Sequence, residues 1–441
     1  MSKSDNHLRS EPMKKVLIIT YYFPPAGGPG VQRWLKFVKY LPEFNIQPIV
    51  YVPENPSYPI IDEDLKAEIS NKAIIIKRSI FEPYSFASLF SKNKTKKISS
   101  GIIPSGKNQS FLDRMLLWVR GNFFIPDARV FWVKPSVKFL RNYIVKNEID
   151  TIITTGPPHS LHLIGLKLKE QLPIHWIADF RDPWTNIGYH SELKLSTSSQ
   201  KKHLAMESRV LQTADDILVT SNSTRLEFLT KTAKPIHVIT NGYDLEQVPK
   251  QSLDESFSLS HIGSLLSERN PVILWQCLSE LAKEIPDFSA HLEIKLIGTV
   301  SDDVVETIKS YELGNYLKML GYVSHQEALI QQRKSQLLLL IEINSKNTIS
   351  IIPGKLFEYM ASGRPIVAIG PLGSDFSEII KQTNTGLFFD YSEKDALKKS
   401  ILSSYHCYLE NKLLVNAVGL ESYSRRFLTK RLSEVILKSI Q

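Results

Sequence analysis

Short apolar runs recur along the chain, separated by segments whose apolar residues fall three or four positions apart. Residues 16–21 form the first run, as expected of a parallel strand buried on both faces. Helical spacing follows at Val31, Leu35, Val38 and Leu41. Further strands are expected at 49–52, 73–76, 151–155, 174–178, 217–220 and 236–239, with helices at 136–147, 161–170, 201–211 and 224–231. The turn pair Asn241-Gly242 and the polar stretch 247–256, with Pro249, interrupt the series. It then restarts with strands at 257–262, 292–297, 317–320, 337–341, 366–368 and 386–389. These alternate with helices at 271–283, 302–311, 326–333, 355–361 and 376–381, before C-terminal helices. Strand–crossover–strand units imply mostly parallel sheets with right-handed connections. Two α/β domains are expected, 1–246 and 247–441, with a cleft between them. Ligands of such sheets bind beyond the carboxyl ends of the strands, so the chemistry is sought in the loops that follow them.

Composition narrows the class. A length of 441 residues suits two cores, and 42% apolar with 22% charged residues marks a globular chain. Cys277 and Cys407 make no disulfide framework and fit a reducing cytoplasm. Residues 1–13 lack the apolar stretch of a secretory signal, and no run reaches membrane-span length. The net charge of +9 is partly local. Residues 91–124 hold Lys92, Lys94, Lys96, Lys97, Lys107, Arg114 and Arg120 against Asp113 alone, beside Phe111, Leu112, Leu116, Leu117, Trp118, Phe123 and Phe124. The first part reads as a loop. The second reads either as a helix covering the N-terminal sheet or as a contact for an anionic membrane.

Five loops carry candidate chemistry. Residues 23–30 end in Gly27-Gly28-Pro29-Gly30 ahead of a helix with Gln32 and Arg33; Gly28 and Gly30 would let a ligand approach the backbone. A dinucleotide fingerprint would need a third glycine where Arg33 stands, so nicotinamide and flavin sites are disfavoured. Residues 155–160 place His159 after a strand, either as a partner for a substrate hydroxyl or as a loop histidine at a helix start. His162 is three residues on, but no third ligand suggests metal. Residues 178–184 combine Asp179, Arg181, Asp182 and Trp184, suited to sugar hydroxyls and a pyranose face, or to an ion pair of Arg181 with either aspartate. Residues 261–271 end a strand in Gly263-Ser264 and bring Arg269 to a helix start, where it can neutralise a phosphate. Residues 351–367 open a helix at Gly354 with Lys355 for a pyrophosphate, and place Glu358 one turn on for ribose hydroxyls.

The Gly263 to Arg269 loop, the run from Gly354 to Tyr359 and the Gly363-Arg364-Pro365 turn resemble family-4 retaining glycosyltransferases of the GT-B fold. The glycine-rich first loop and the overall repeat agree, so the resemblance covers nearly the whole chain. It implies two facing Rossmann domains, the C-terminal one binding a nucleotide diphosphate sugar, and a final helix returning to the N-terminal domain. The family's phosphate-binding lysine falls on Arg269. Its ribose-binding glutamate falls on Glu358, and the first glutamate of that pair is replaced by Ser350. The family's arginine next to the glycine falls on Ser264; Lys355 restores part of that charge. The implied reaction is retaining sugar transfer to an acceptor hydroxyl, with Arg269, Lys355 and helix N–H groups stabilising the departing diphosphate. His159, Asp179, Arg181, Asp182 and Gln32 would position donor sugar or acceptor.

An Asp-x-Asp metal string, Asp62-Glu63-Asp64, fits a helix start, so no metal and no cofactor beyond the sugar nucleotide are expected. No nucleic-acid motif accompanies the basic residues. The expected acceptor is a saccharide or lipid-linked glycan of cell-surface polysaccharide synthesis, met in the cytoplasm or at the inner membrane face. A nucleotide-sugar epimerase and a noncatalytic sugar-nucleotide-binding protein of the same fold are the alternatives.

Overall fold

The computed structural model describes residues 13–82, 111–186, 193–244 and 251–438. The chain forms two compact units. The first comprises Met1–Thr220, Thr224–Thr240 and Arg425–Gln441; the second comprises Ser221–Ser223 and Asn241–Ser424.

The first unit is built on seven parallel strands: β1 (Lys14–Ile19), β2 (Ile46–Pro53), β3 (Ile74–Arg78), β4 (Thr151–Gly156), β5 (His175–Phe180), β6 (Asp216–Val219) and β7 (Ile236–Val238). Their order is β3-β2-β1-β4-β5-β6-β7. Helices α1 (Pro29–Tyr40), α2 (Phe111–Phe123), α3 (Val130–Lys146), α4 (Ser160–Lys169), α5 (Thr197–Thr213) and α6 (Asn222–Leu229) connect them. β1 shows why an unbroken apolar run is needed. Leu17 and Ile19 face one core with Trp132, Leu140 and Ile164, whereas Val16 and Ile18 face the other with Trp34, Phe37 and Val38. Successive side chains point to opposite faces, and both faces are covered. From β1 the strands are added on one side, through β2 to β3, and then on the other from β4. The loops after β1 and β4 therefore flank the switch point of the sheet.

Helix α3 begins six residues before the expected 136 and runs through Pro135. Its extra turn buries Trp132, which stacks on Tyr51 with centroids 4.8 Å apart. Pro135 donates no backbone hydrogen bond within the helix, and the helix continues across it with Trp132 buried.

The second unit has six parallel strands in the order β10-β9-β8-β11-β12-β13. They are β8 (Phe257–Ile262), β9 (Leu292–Ile297), β10 (Leu317–Gly321), β11 (Leu337–Ile341), β12 (Ile366–Gly370) and β13 (Gly386–Asp390). The helices are α7 (Val272–Glu284), α8 (Pro286–His291), α9 (Asp302–Ser310), α10 (His325–Lys334), α11 (Lys355–Ser362), α12 (Asp375–Thr383) and α13 (Lys394–Leu409). In β11, Leu337, Leu339 and Ile341 enter one core, and Leu338 and Leu340 the other. The switch point lies between β8 and β11.

The chain leaves the first unit after Thr240 and returns at Arg425. The last helix, α14 (Arg425–Lys438), adds Leu428, Leu432, Val435 and Ile436 to the core that holds Trp34 and Phe37. Among the described residues, no helix is long and apolar enough to cross a membrane.

Candidate functional site

The loops after β8 and β11 converge at the switch point of the second unit. β8 ends at Ile262, and Gly263 follows with φ +116°, a backbone that side chains rarely tolerate. Gly298, after β9, is packed so closely that a Cβ there would lie 2.6 Å from the Gly263 carbonyl oxygen. On its other side Gly263 leaves room for a cation: a Cβ would lie 2.8 Å from Lys355 Nζ. Lys355 opens α11 after Gly354, which is exposed and has nothing within 4 Å of its own Cβ position. The helix start thus faces free space, the arrangement that favours anions. Tyr359 fixes α11 to the strand end, its hydroxyl accepting from Ile262 N–H at 2.9 Å.

Two further groups enclose the cation. His261, the fully buried penultimate residue of β8, has Nδ1 3.1 Å from the Leu339 carbonyl and Nε2 3.2 Å from Lys355 Nζ. A carbonyl only accepts, so Nδ1 carries the hydrogen and the Nε2 lone pair meets the lysine. Burial, reinforced by Lys355, holds the imidazole well below its usual pKa, hence neutral. Burial and the Arg269 charge bring Lys355 down to about 8, against the opposing pull of Glu342 and Glu358.

Arg269 is held by Glu342. Its Nε and Nη2 donate to Oε1 at 3.2 and 3.1 Å. Oε1 also accepts from Ile343 N–H at 2.8 Å. Glu342 is 1% exposed and Arg269 30%, so the carboxylate is fixed and the guanidinium keeps an open edge. Glu358, half-buried on α11, accepts from Gln332 Nε2 at 3.1 Å. Ser264 is exposed, and Ser350 is half-buried in the turn preceding Gly354.

In the first unit, the candidate loops surround the other switch point. Gly28, φ +92°, precedes α1. Arg181 clamps two loops, donating from Nη1 to the Gly30 carbonyl at 2.8 Å, from Nε to the Gly156 carbonyl at 3.3 Å, and from Nη2 to the Pro157 carbonyl. A Cβ at Gly30 would stand 2.7 Å from Nη1, so a larger residue there would push the guanidinium off this carbonyl. His159 is 5% exposed and stacks on Trp184 at 4.9 Å. His162 is fully buried, its Nδ1 2.9 Å from Thr154 Oγ1, and burial lowers its pKa to about 3. Asp182 is half-buried, and desolvation raises its pKa against the pull of Arg181. Gln32 accepts from Arg425 Nη1 at 3.0 Å.

Asp179 requires a correction. It is fully buried, not a ligand-facing carboxylate, and its ion-pair partner is Arg33, at 2.9 Å, not Arg181. Trp34 Nε1 and Thr155 Oγ1 also donate to it, at 2.8 and 2.9 Å. Arg33 donates onward to the carbonyls of Ile239 and Thr240. Asp179 therefore braces α1 against the end of β4 and, through Arg33, against the segment that follows β7. The acidic string is also placed: Asp62 and Glu63 precede a short 3₁₀ turn at Asp64–Glu68, and Asp62 N–H donates to the Pro25 carbonyl at 2.8 Å.

Sequence reasoning missed Glu342, His261, Tyr359 and Arg33. Glu342 had a signal, a carboxylate directly after the apolar run of β11. In the sequence alone, Arg33 marks only a break in a glycine pattern.

Residues 257–406 match the family described as glycosyl transferases group 1. No curated protein matches the chain in sequence. Among solved structures it resembles the sucrose-phosphate synthase of Thermosynechococcus elongatus, at TM-score 0.62 and 14% identity over 97% of this chain and 99% of that one. A glycosyltransferase from Rickettsia africae matches at TM-score 0.59 and 14% identity, over 97% and 99%. Anabaena HepE, solved in complex with UDP and glucose, matches at TM-score 0.59 and 12% identity, over 96% and 99%. Residues 257–406 are thus similar to glycosyl transferases group 1, and the chain takes the double Rossmann-like GT-B fold also seen in solved glycosyltransferases.

Proposed function

We propose that the chain is a retaining, metal-independent glycosyltransferase that moves a sugar from a nucleotide diphosphate sugar to an acceptor hydroxyl. The observation that carries this reading is the group at the second unit's switch point. Lys355 lies against Gly263 at an open helix start, Arg269 keeps an exposed edge, and Glu358 stands one turn along α11. Two cations and a helix N-terminus suit a diphosphate, and a carboxylate one turn away suits a ribose diol. As the glycosidic bond breaks, negative charge grows on the diphosphate, and these groups stabilise it without a metal ion. In the first unit, Arg181, Asp182 and Gln32 would position the acceptor with His159. Asp179 supports them from behind.

The acceptor we favour is a saccharide or lipid-linked glycan, reached by peripheral contact with an anionic membrane. Support comes from α2, where Trp118 and Phe123 are exposed at 44% and 68%, and from Phe131 of α3 at 47%. The lysines between 92 and 107 lie outside the described residues. Exposed aromatics beside basic residues favour an anionic bilayer surface.

A thermal-shift screen of nucleoside diphosphates and their sugars tests the donor class, since a ligand of the folded state raises its melting temperature. NMR of the product with the stabilising donor then reads the anomeric configuration. Retention supports the reading and inversion contradicts it. Donor epimerised without an acceptor would identify an epimerase; binding without turnover of any acceptor would identify a sugar-nucleotide-binding protein.

A further inference from the structure

We propose that His261 is a positioning residue for the donor diphosphate, holding Lys355 over Gly263 as a proton acceptor-donor pair, so that diphosphate binding takes up a proton. This rests on the donor site proposed above.

The geometry leaves His261 one arrangement. Its ring is fully buried at the end of β8, and Nδ1–H is spent on the Leu339 carbonyl of β11. Nε2 is left as an acceptor aimed at Lys355 Nζ, 3.2 Å away. The Ser264 carbonyl, 3.4 Å from the same nitrogen, cannot donate to it. The lysine is half-buried, and its ammonium lies in the space that a glycine at 263 leaves open. The ionisable groups facing Lys355 are His261 on β8, Arg269 before α7, Glu342 after β11 and Glu358 on its own helix. Arg269 is already paired to Glu342. The ammonium therefore has a neutral imidazole as its hydrogen-bonding partner and an unfavourable cation nearby.

The consequence is a lysine that is partly neutral in the free protein near pH 8. A diphosphate beside it favours the charged form, so its pKa rises on binding. The balance is one proton taken from solvent onto Lys355 Nζ for each neutral site that binds. Uptake is small at pH 7, about half a proton at pH 8, and approaches one proton near pH 9. Removing the His261 acceptor strips the half-buried ammonium of a hydrogen bond, so its pKa falls further and uptake begins at lower pH.

The test is calorimetry of UDP, GDP and ADP binding to the full chain, in buffers of different ionisation enthalpy between pH 7 and 9.5. The terminal phosphate of these probes ionises below this range, and its residual titration near pH 7 releases protons on binding, the opposite sign to the uptake expected of Lys355. The expected result for whichever nucleotide binds is uptake that rises from near zero to about one proton across this range. In His261→Leu the rise should move to lower pH, with affinity at pH 8 reduced roughly tenfold, about 1.4 kcal/mol. His261→Asn, which can both donate to Leu339 and accept from Lys355, should restore the wild-type profile. A residue that merely filled space would lower affinity equally at every pH, which would overturn the inference. So would binding without proton uptake in the unaltered protein, a result that leaves the donor site standing. If no nucleotide binds, the donor-site reading fails, and this inference with it.

Discussion

Replacing Gly263 by alanine isolates the feature on which the donor site depends. Two penalties follow from the structure. The backbone at φ +116° is one that a residue with a Cβ adopts only with strain, costing about 1–3 kcal/mol. In a unit of this size each kcal/mol lowers the melting temperature by roughly 2–4 °C, so a fall of about 2–12 °C is expected. The second penalty falls on the ligand. The new methyl would stand 2.8 Å from Lys355 Nζ, against 3.4 Å or more for an ordinary contact. The ammonium must retreat from the His261 lone pair and from any phosphate placed over Gly263. Losing one charged hydrogen bond costs about 1.5–3 kcal/mol, or a tenfold to hundredfold loss of nucleotide affinity. Gly419→Ala is the control, since Gly419 has φ +65° with nothing within 4 Å of its Cβ position. It carries backbone strain and no contact with Lys355. Calorimetric unfolding and nucleotide titration of both variants separate the terms. The reasoning is refuted if Gly263→Ala binds nucleotide as tightly as the unaltered protein, or if Gly419→Ala loses as much affinity.

Other outcomes follow from the same geometry. Asp179→Ala should destabilise the first unit by about 3–5 kcal/mol, because it leaves Arg33 buried without its partner; denaturant unfolding close to that of the unaltered protein would show that the bracing role is wrong. Glu358→Ala should weaken binding of a nucleoside diphosphate at least about tenfold, about 1.4 kcal/mol, and weaken inorganic pyrophosphate little; equal losses for both ligands would remove the ribose assignment. Trp118→Ser with Phe123→Ser should reduce sedimentation with anionic vesicles, and added salt should weaken it further. Undiminished sedimentation would leave these aromatics as ordinary surface.

Much of the architecture is legible in local pattern, because buried parallel strands must be apolar on both faces. The runs at β1 and β11 show this directly, with alternate residues in opposite cores. Helix α3 starts before the 136 that its spacing predicts, because stacking of Trp132 on Tyr51, a tertiary effect, carries it back past Pro135. The Gly354–Glu358 stretch is readable for the same reason as the strands: a glycine, a cation and a carboxylate lie within about one helical turn. The partners of these residues are not. Glu342 meets Arg269 across 73 positions, and His261 meets Lys355 across 94. Asp179 looked like a ligand-facing acid at a strand end, yet Arg33, 146 positions earlier, closes over it. Nothing in residues 178–184 alone distinguishes those outcomes.

The central claim is that Lys355 and Arg269 together hold the diphosphate of a sugar nucleotide and stabilise it as it departs. The most direct measurement is transfer to acceptor by Arg269→Ala and Lys355→Ala, using the donor that most stabilises the unaltered protein, with donor affinity measured in parallel. Each variant is predicted to lose at least about tenfold in kcat/KM while α11 and the sheet remain folded, part of the loss appearing in kcat because charge on the diphosphate grows only in the transition state. Wild-type kcat/KM in both correctly folded variants would contradict the account.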